Sequence, residues 1–368
     1  MAIKVLCVFG TRPEAIKMAP VVTELRRRDD FACRVAITAQ HRGMLDDVLD
    51  LFDIVPEVDL DVMQEGQSPT RVASAVLSGL ESVLQAERPD WLIVQGDTTT
   101  TMAASVAAFL EHVRIAHVEA GLRTGDRHRP FPEELNRRIT DLVADLYFVP
   151  TQRARENLLA EGVAGDDIVL TGNTVIDALL DVTGREPAPQ LPDSWAPAGK
   201  RLILLTAHRR ESFGAPLLGI CRAAAEIATS VEDVHVLYPV HPNPHVKAVA
   251  EAELSSVPNL ELAPPLDYLT LATVMRRSYL ILTDSGGIQE EAPTFGVPVL
   301  VLRALTERPE AVEAETARVV GTDPARIVAE ARRLLEDPAA HAEMARSHNP
   351  FGDGLAAKRI AEALLARS

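Results

Sequence analysis

The amino-acid sequence predicts an α/β protein with two doubly wound parallel sheets. Short apolar, β-branched runs alternate with longer amphipathic runs, which is the pattern of strands connected by helices. The alternation occurs in two series, separated by a stretch with four prolines at residues 184–199. A chain of 368 residues is also long for a single hydrophobic core. We therefore expect two domains, each built around its own sheet.

The first series predicts strands near residues 5–9, 34–38, 91–94, 114–117 and 146–149. Between the second and third of them, residues 68–86 read as a helix with an apolar stripe that would cover one sheet face, formed by Val72, Val76, Leu80 and Val83.

The second series predicts strands near residues 201–206, 235–238, 260–262, 280–283 and 297–302. An apolar-striped helix at residues 355–365 ends the chain. Two sheets in succession are therefore expected, followed by one terminal helix.

Composition and charge narrow the class of protein. Hydrophobic residues make up 47% and charged residues 24%, as in ordinary globular domains. The net charge of −16 argues against a broad surface for nucleic acid or for an anionic membrane, but it leaves room for a small basic pocket. Cys7, Cys33 and Cys221 sit in apolar runs, which favours buried thiols in a reducing cytoplasm. The apolar opening at residues 1–9 is too short to span a bilayer and is predicted to be the first strand.

Polar clusters follow the predicted strands of both series. Ligands bind at the carboxyl ends of strands in open parallel sheets, so these clusters are candidates for a binding site. Each one is also explained by a simpler alternative, a polar turn that caps the next helix. The clusters are Gly10-Thr11-Arg12-Pro13-Glu14, Gly96-Asp97-Thr98-Thr99-Thr100-Thr101, Glu119-Ala120-Gly121-Leu122-Arg123, His208-Arg209-Arg210-Glu211-Ser212, His241-Pro242-Asn243-Pro244 and Asp284-Ser285-Gly286-Gly287.

Two of these clusters, and the pair Glu133 and Arg137, have specific structural alternatives. Asp97 and Thr98 are residue types that cap a helix, here one that starts at Thr99. Glu133 and Arg137 have the spacing of an ordinary i,i+4 helical ion pair. Residues 208–210 read equally well as a solvated turn.

Cofactor and metal motifs are weak or missing in the sequence. His117 and Glu119 have the His-x-Glu spacing of the zinc deaminases, but no Pro-Cys-x-x-Cys follows. His241 and His245 are four residues apart, yet the intervening prolines prevent the helix that would align them on a metal. Neither a Gly-x-Gly-x-x-Gly after a strand nor a Walker loop occurs. The prediction is chemistry by side chains, with no cofactor and no metal.

The stretch Asp284-Ser285-Gly286-Gly287 follows an apolar strand and opens a predicted helix. Backbone N–H groups at a helix start attract an anion such as phosphate, and the two glycines let it approach closely. Glu290 and Glu291 follow at once, and carboxylates repel phosphate. A ligand bound here therefore needs a second chemical group that suits a carboxylate.

Together, the motifs of this chain resemble those of the non-hydrolysing UDP-N-acetylglucosamine 2-epimerases, which have the GT-B fold of two facing Rossmann-like domains with a cleft between them. Nine motifs match in order between residues 10 and 310. They are Gly10-Thr11-Arg12-Pro13-Glu14-Ala15-Ile16-Lys17, Thr38-Ala39-Gln40-His41-Arg42, Gly96-Asp97-Thr98-Thr99-Thr100, His117-Val118-Glu119-Ala120-Gly121-Leu122-Arg123-Thr124, Pro132-Glu133-Glu134-Leu135-Asn136-Arg137, Thr171-Gly172-Asn173-Thr174, His208-Arg209-Arg210-Glu211, Asp284-Ser285-Gly286-Gly287-Ile288-Gln289-Glu290-Glu291 and Thr306-Glu307-Arg308-Pro309-Glu310.

The resemblance implies a domain organisation and a reaction. Residues 1–170 would form the domain with the acid/base residues, residues 171–353 the UDP-binding domain, and residues 354–368 a helix that crosses back to the first. The reaction would be reversible inversion at C2 of UDP-N-acetylglucosamine, through elimination of UDP to 2-acetamidoglucal and its re-addition. The product, UDP-N-acetylmannosamine, would serve as a precursor of cell wall or polysaccharide. A cytoplasmic homodimer is implied as well.

The resemblance also implies roles for individual residues. Asp97, Glu119 and Glu133 would form the acid/base set at C2, with Arg137 orienting a carboxylate. His208 would assist the departure of UDP. Glu291 would accept hydrogen bonds from the ribose hydroxyls, because a carboxylate suits a diol. The remaining substrate-binding positions, most of them around the diphosphate, are Arg12, Lys17, Arg209, His241, Ser285, Gly286, Gly287 and Arg308, with Arg303 adding local positive charge.

One position departs from the family pattern in a way that bears on regulation. Relatives activated by a second molecule of UDP-N-acetylglucosamine usually carry Gln where this chain has Gly43, although Gln40, Arg209 and His241 match. The departure argues against such activation here. A further departure is Glu315, which stands where relatives commonly have Gly.

Three alternative functions remain open on the sequence. A GT-B glycosyltransferase would share the nucleotide half but transfer the sugar to an acceptor. A hydrolysing 2-epimerase would release free N-acetylmannosamine. A nucleotide-sugar binding protein would bind UDP without any exchange at C2. The three spaced acids of the N-terminal half favour proton chemistry over the first and third alternatives.

Overall fold

Runs of aliphatic residues form the strands, and the structure groups them into two units. The structure is a computed structural model that describes residues 2–39, 42–62, 66–346 and 348–367, with the backbone alone at Arg42, Met44 and Arg210. Gln40 and His41 of the motif that begins at Thr38 lie outside the described residues. The first unit extends to Ala178 and takes up the chain again from Phe351, and the second is Leu179–Pro350.

The first unit is a parallel sheet with helices between successive strands. Over its described residues the sheet has seven strands in the order β3-β2-β1-β4-β5-β6-β7. The elements are β1 (Ile3–Phe9), α1 (Arg12–Arg27), β2 (Phe31–Ile37), α2 (Arg42–Leu51), β3 (Val58–Asp59), α3 (Pro69–Glu87), β4 (Trp91–Gln95), α4 (Thr99–Leu110), β5 (Arg114–Val118), α5 (Glu133–Val143), β6 (Leu146–Val149), α6 (Gln152–Ala160), β7 (Ile168–Leu170) and α7 (Thr174–Gly184).

The core of this unit lies where the helix stripes meet the sheet. In α3 the buried residues are Val72, Val76, Leu80 and Leu84. Val83, which the sequence placed on this stripe, is only partly buried against the same core. Steps of four residues keep side chains on one face of a helix, and Leu84 continues that series while Val83 interrupts it.

The second unit repeats the architecture with a smaller sheet. Its described strands, all parallel, follow the order β10-β9-β8-β11-β12-β13. The elements are β8 (Arg201–Thr206), α8 (Ala215–Ser230), β9 (Val234–Pro239), α9 (Pro244–Leu254), β10 (Leu260–Ala263), α10 (Tyr268–Arg277), β11 (Leu280–Thr283), α11 (Gly286–Glu291), β12 (Val299–Val301), α12 (Pro309–Glu313), β13 (Ala317–Val319), α13 (Pro324–Glu336) and α14 (Pro338–Met344).

The two strand orders locate the best place for a ligand in each sheet. In the first unit, successive strands are added on one side of β1 up to β3 and then on the other side from β4 onwards. In the second unit, the same change occurs between β8 and β11. Loops diverge at such a switch point and leave a crevice at the carboxyl ends of the strands. The polar clusters at Gly10 and Gly96 flank the first switch point, and those at His208 and Asp284 flank the second.

The C-terminal segment packs within the first unit. Its helix α15 (Ala356–Ala366) contacts α1. The carboxylate of Asp177 accepts hydrogen bonds from the backbone N–H groups of Ala356 at 3.2 Å and Ala357 at 2.8 Å, and so caps α15. Gly172 and Gly352 meet backbone to backbone, since a Cβ on Gly172 would lie 3.2 Å from the Cα of Gly352. Within the described residues, no helix is long and apolar enough to cross a membrane.

Candidate functional site

Glu119 has the most unusual setting in the first unit. It follows β5 with φ +65°, a left-handed backbone conformation that is rare outside glycine, and its side chain is buried. Nζ of Lys17 donates to both carboxylate oxygens, at 2.6 and 2.8 Å. Nε2 of Gln95 donates to Oε2, and Nδ2 of Asn173 lies 3.4 Å from Oε1. A strained, buried carboxylate surrounded by N–H donors is a typical feature of a functional site.

Asp97 lies in the neighbouring turn after β4. Its Oδ2 accepts a hydrogen bond from Arg137 at 2.5 Å. Gly96, directly before it, has φ +74°, and a Cβ on Gly96 would lie 3.8 Å from Oε2 of Glu119. The turn that carries Asp97 therefore runs past the carboxylate of Glu119, as expected for the ends of the adjacent strands β4 and β5.

Hydrogen bonds from side chains hold this turn at each of its carbonyl groups. Thr101 Oγ1 donates to the carbonyl of Gln95 at 2.7 Å, and Asn136 Nδ2 donates to that of Asp97 at 3.0 Å. Nε2 of His117 lies 2.7 Å from the carbonyl oxygen of Gly96. Three donors from α4, α5 and β5 thus fix three consecutive peptide groups. Thr98 also caps α4, as Thr11 caps α1 and Asn243 caps α9, which confirms the capping alternative for these three residues.

Glu133 is half-buried in the first turn of α5. The i,i+4 ion pair with Arg137 that its spacing allowed is absent from the described contacts of Arg137. That guanidinium pairs with Asp97 and, at 3.4 Å, with Glu134. Glu134 is fully buried and also accepts from the N–H group of Thr124 at 3.1 Å. Glu134 therefore anchors the preceding loop, while Glu133 is the more accessible of the two acids.

Glu14 joins the loop that carries Arg12 to the loop that carries Asp97. One oxygen of its buried carboxylate accepts from the N–H groups of Gly10 and Thr11 at 3.0 and 2.7 Å. The other accepts from the hydroxyls of Thr98 and Thr101 at 2.6 and 2.9 Å. Burial raises the pKa of Glu14, and these hydrogen bonds offset part of the rise. Arg12 begins α1 and is partly exposed beside this joint.

Asp284 organises the corresponding loops of the second unit. Its buried carboxylate accepts from the backbone N–H groups of His208 and Arg209, both at 2.8 Å. The loop of residues 208–210 is therefore held against β11, which argues against a freely solvated turn. A Cβ on Gly286 would lie 3.5 Å from a guanidinium nitrogen of Arg209 and 4.0 Å from one of Arg308. Two cations thus lie beside the glycine turn.

The cations around this turn are themselves held by acids. Arg308 donates to the buried carboxylate of Glu290, and Arg303 pairs with Glu211 at 2.6 Å. Ser285 begins the turn, and its N–H donates to Thr283 Oγ1 at 2.9 Å. The carboxylate of Glu291 points back to the glycines, since a Cβ on Gly287 would lie 3.3 Å from its Oε1.

His208 and His241 stack in the second unit, with ring centroids 5.3 Å apart and planes within 9°. Burial lowers the pKa of His208, and the carboxylate of Asp284, 3.5 Å from Nδ1, offsets part of that effect. A cavity of about 380 Å³ opens beside His241 at the carboxyl ends of β9 and β10, with Pro264 and Pro265 in its wall.

Sequence reasoning left out several residues of this arrangement. These residues are Gln95 and Asn173, which contact Glu119, and Glu14, which joins two loops. Glu14 and Asn173 lie in motifs that the sequence analysis recognised, but neither was assigned a role. The available signal was the tendency of ligands to bind at the carboxyl ends of parallel strands, which also applies to Gln95 as the last residue of β4.

Gly43 lies in α2, while Gln40 is outside the described residues, so the absence of allosteric activation stays a prediction.

Comparison with known proteins agrees with this geometry. A family model described as UDP-N-acetylglucosamine 2-epimerase matches residues 23–365. The UDP-N-acetylglucosamine 2-epimerase of Salmonella typhimurium is 52% identical over 370 residues, which is 98% of each chain. The crystal structure of UDP-GlcNAc 2-epimerase from Neisseria meningitidis bound to UDP-GlcNAc is 44% identical, covers 99% of this chain and 100% of its own, and has a TM-score of 0.90. The S. aureus MnaA-UDP structure is 43% identical, covers 99% and 96%, and has a TM-score of 0.91. These similarities, with two parallel-sheet units, confirm the predicted GT-B fold class.

Proposed function

This chain belongs to the UDP-N-acetylglucosamine 2-epimerase family, and we propose that it interconverts UDP-N-acetylglucosamine and UDP-N-acetylmannosamine by eliminating UDP and adding it back. Membership makes the chain an isomerase. The substrate follows from its relatives, because the Neisseria structure contains UDP-GlcNAc and the S. aureus structure contains UDP.

Elimination follows from the chemistry of the inverted carbon. C2 of the sugar has no carbonyl group beside it, so its proton is very weakly acidic. If the C1–O bond to UDP breaks while a base removes the C2 proton, the electron pair of the C–H bond forms the C1–C2 double bond of 2-acetamidoglucal. Protonation of C2 from the opposite face, with UDP returning to C1, gives the manno epimer. The diphosphate carries the charge that develops, so cations beside it lower the barrier.

Asp97, Glu119 and Glu133 form the proposed acid/base set. Asp97 is paired with Arg137, whereas Glu119 is paired with Lys17. Inversion at C2 needs one group that removes a proton from one face of the sugar and another that delivers a proton to the opposite face. A set of three acids on neighbouring loops supplies both roles.

The second unit supplies most of the proposed UDP-binding groups. Its glycine turn presents backbone N–H groups to the diphosphate, with the guanidinium groups of Arg209 and Arg308 beside Gly286. Glu291 is proposed for the ribose hydroxyls, and the cavity beside His241 for the uracil ring. The other proposed binding residues are Arg12, Lys17, Ser285 and Gly287.

His208 is proposed to assist the departure of UDP. Its lowered pKa makes the ring largely neutral at pH 7. A neutral imidazole held beside Asp284 is able to donate an N–H hydrogen bond to a departing phosphate oxygen. We therefore expect a supporting role in leaving-group stabilisation, with the arginines carrying most of the charge compensation.

The observation that carries the proposal is the setting of Glu119. Its left-handed backbone and its donors hold a buried carboxylate next to the turn of Asp97, at the carboxyl ends of adjacent strands. A binding protein for nucleotide sugars needs the groups of the second unit but has no need for a strained, buried carboxylate beside a second acid.

Turnover in heavy water tests the proposal directly. Incubation with UDP-N-acetylglucosamine in D₂O, followed by NMR, should show deuterium at C2 and accumulation of UDP-N-acetylmannosamine. Substrate with ¹⁸O in the C1–O–P bridge should show positional scrambling of the label. Asp97→Asn should abolish C2 exchange while leaving UDP binding intact, whereas the surface variant Asp181→Asn should behave as the unaltered protein.

Other outcomes select the alternatives. Free N-acetylmannosamine as the product identifies a hydrolysing epimerase. Sugar transfer to an added acceptor, with hydrogen retained at C2, identifies a glycosyltransferase. Tight UDP binding without any exchange identifies a binding protein. Retention of the C2 hydrogen and of the bridging oxygen during epimerisation would overturn the elimination mechanism.

We also propose a homodimer, on the strength of family membership. Sedimentation equilibrium of the full chain should give twice the mass of one chain, 39.9 kDa. A single-chain mass across the accessible concentration range would contradict it.

A further inference from the structure

His117 is a fully buried histidine with a hydrogen-bond acceptor at each ring nitrogen. Its Nδ1 lies 2.6 Å from Oδ1 of Asp141 on α5. Its Nε2 lies 2.7 Å from the carbonyl oxygen of Gly96, in the turn that carries Asp97. The side chain has no exposed surface, so water is no alternative partner for either nitrogen.

The contact with Gly96 decides the state of Nε2. A backbone carbonyl oxygen accepts hydrogen bonds and has no proton to donate. At 2.7 Å the contact is a hydrogen bond only if Nε2 carries the proton. Without that proton, two lone pairs would face each other in a buried site.

The contact with Asp141 decides the state of Nδ1. Oδ2 of this carboxylate lies 2.8 Å from the guanidinium of Arg123 and accepts from the N–H group of Gly121 at 3.3 Å. These two donors favour the ionised form of the Asp141 carboxylate. An ionised carboxylate only accepts, so Nδ1 also carries a proton.

Ion pairs extend from the ring towards the surface. Glu161 pairs with Arg123 at 2.6 Å, Arg123 pairs with Asp141, and Asp141 meets His117. Glu161 is 39% exposed and solvated, whereas Arg123 and Asp141 are buried and compensate each other. The hydrogen-bond acceptors at the two ring nitrogens, and not the sum of the charges, therefore indicate the doubly protonated ring.

Within the described residues, Tyr147 and Arg138 are further titratable groups near these ion pairs. The Tyr147 hydroxyl donates to the backbone carbonyl of Asp141 at 2.7 Å and so holds α5. Arg123, and to a smaller extent Arg138, hold the pKa of Glu161 below its usual range. Burial raises the pKa of Tyr147 to about 12, which keeps it neutral over the working range of an enzyme.

We propose that His117 is a doubly protonated imidazolium that bridges Asp141 and the carbonyl of Gly96, and that it thereby positions the turn of Gly96 and Asp97. The positioning role rests on the proposed acid/base role of Asp97. Of the three side chains that hold the carbonyls of residues 95–97, His117 is the charged donor, and charge-assisted hydrogen bonds are the stronger kind. In the His-x-Glu motif, the histidine thus supports the turn that carries one proposed acid, Asp97, and the glutamate, Glu119, is itself another.

The protonation state is measurable on the unaltered protein. Neutron diffraction, or ¹⁵N NMR of the protein labelled at histidine, should show protons on both ring nitrogens of His117 under the conditions of the activity assay. A single ring proton on His117 there overturns the proposal, whatever the enzymatic activity.

Variants test the positioning role. His117→Asn lacks the cation and cannot bridge Asp141 and Gly96, so C2 exchange should fall about 100-fold in kcat, as expected for a slightly misplaced acid. KM and the Kd for UDP should stay within about twofold, since the diphosphate groups are elsewhere. Hydrogen exchange should accelerate in the peptide that covers residues 95–98 and stay unchanged at residues 280–291. His128→Asn is the matched control and should alter none of these quantities.

The outcomes separate this inference from the proposed function. If the unaltered protein shows no C2 exchange, the proposed function fails, but the ring protons and the backbone protection of residues 95–98 still test His117. If C2 exchange is normal in His117→Asn, the positioning role fails while the epimerase function stands. Should His117→Asn not fold, Asp141→Asn provides the second variant. The amide that replaces this carboxylate is able to donate to Nδ1, so His117 should then keep one ring proton, and two ring protons would show that the Asp141 carboxylate does not decide the state of the ring.

Discussion

The ammonium of Lys17 lies 2.6 Å from one carboxylate oxygen of Glu119 and 2.8 Å from the other. The two side chains are only 15% and 6% exposed, so solvent screens their interaction weakly. We predict that Lys17→Met lowers the free energy of unfolding by about 3–5 kcal/mol, because it leaves a buried charge without its partner. The double variant Lys17→Met/Glu119→Gln should recover at least half of that loss.

Urea unfolding of the unaltered protein, of Lys17→Met, of Glu119→Gln and of the double variant measures the interaction free energy between the two side chains. Lys358→Met removes a surface pair with Glu362 and should change stability by less than about 1 kcal/mol. Purely additive effects of the two substitutions at the buried pair would show that Lys17 does not compensate Glu119.

The cap on the C-terminal helix should make stability depend on pH. Burial raises the pKa of Asp177 to about 6, above the ordinary value of 3.8 that applies to the unfolded chain. The native carboxyl group thus keeps its proton to higher pH, and its contribution to stability is greatest below pH 3.8 and is lost as the pH rises through 6. Relative to Asp177→Asn, which still caps α15 and does not titrate, the protein should lose roughly 2–3 kcal/mol over this window.

Chemical denaturation of both proteins between pH 4 and 7.5 checks this prediction. The difference between them isolates Asp177 from the other carboxyl groups. The pKa of Asp177 is not raised if the stability of the unaltered protein, relative to that of Asp177→Asn, stays constant or increases as the pH rises.

A substitution in the glycine turn of the second unit should weaken the binding of UDP without destabilising the fold. Gly286 has an ordinary negative φ, and the nearest neighbours of an added Cβ would be Arg209 at 3.5 Å and Arg308 at 4.0 Å. Gly286→Ala therefore fits the folded protein, and we expect unchanged or slightly higher stability. The methyl group occupies the space beside the cations where the diphosphate is proposed to bind. Affinity for UDP should fall at least tenfold in calorimetry, and an unchanged Kd would remove the diphosphate from this turn.

Glu315 offers a stabilising substitution. It follows the last turn of α12 with φ +59°, and its N–H group donates to the carbonyl of Val312 at 3.0 Å. This is the left-handed position after a helix where glycine is favoured. Glu315→Gly should raise the free energy of unfolding by about 0.5–1 kcal/mol, since relief of a left-handed strain of about 1–2 kcal/mol is partly offset by the flexibility of glycine in the unfolded chain.

Thermal unfolding of Glu315→Gly and of Glu313→Gly tests the conformational argument. Glu313 is inside α12, where glycine is unfavourable, so this matched variant should be less stable than the unaltered protein. Equal effects of the two substitutions would mean that backbone conformation does not decide the outcome.

The sequence predicted the strands that are long and apolar. The runs at β1, β4 and β11 are buried on both faces, so each reads as a strand from its own composition. It missed β3, β7 and β13, which have two or three residues each. Such short strands are defined by their pairing with a neighbour, here β3 with β2 and β7 with β6, and no local pattern marks that pairing.

The candidate site was predictable in its positions but not in its contacts. Asp97 and Glu119 directly follow predicted strands, and the strand-end rule selects them without a structure. Gln95 and Asn173 lie 24 and 54 residues from Glu119, and their side chains meet it only in the folded unit. The pairing of Arg137 with Glu134 and Asp97 was likewise invisible, because i,i+3 and i,i+4 partners compete with a residue from another loop.

What the sequence determined alone is the order of strands and helices and the polar residues at the strand ends, because both depend on neighbours within a few positions. The tertiary structure alone decided the partners of the buried charges that are far apart in the chain. It set Lys17 against Glu119, 102 residues away, and enclosed His117 between Asp141 and Gly96. Parallel strands align segments that are far apart in the chain, and burial then forces every charge among them to be compensated.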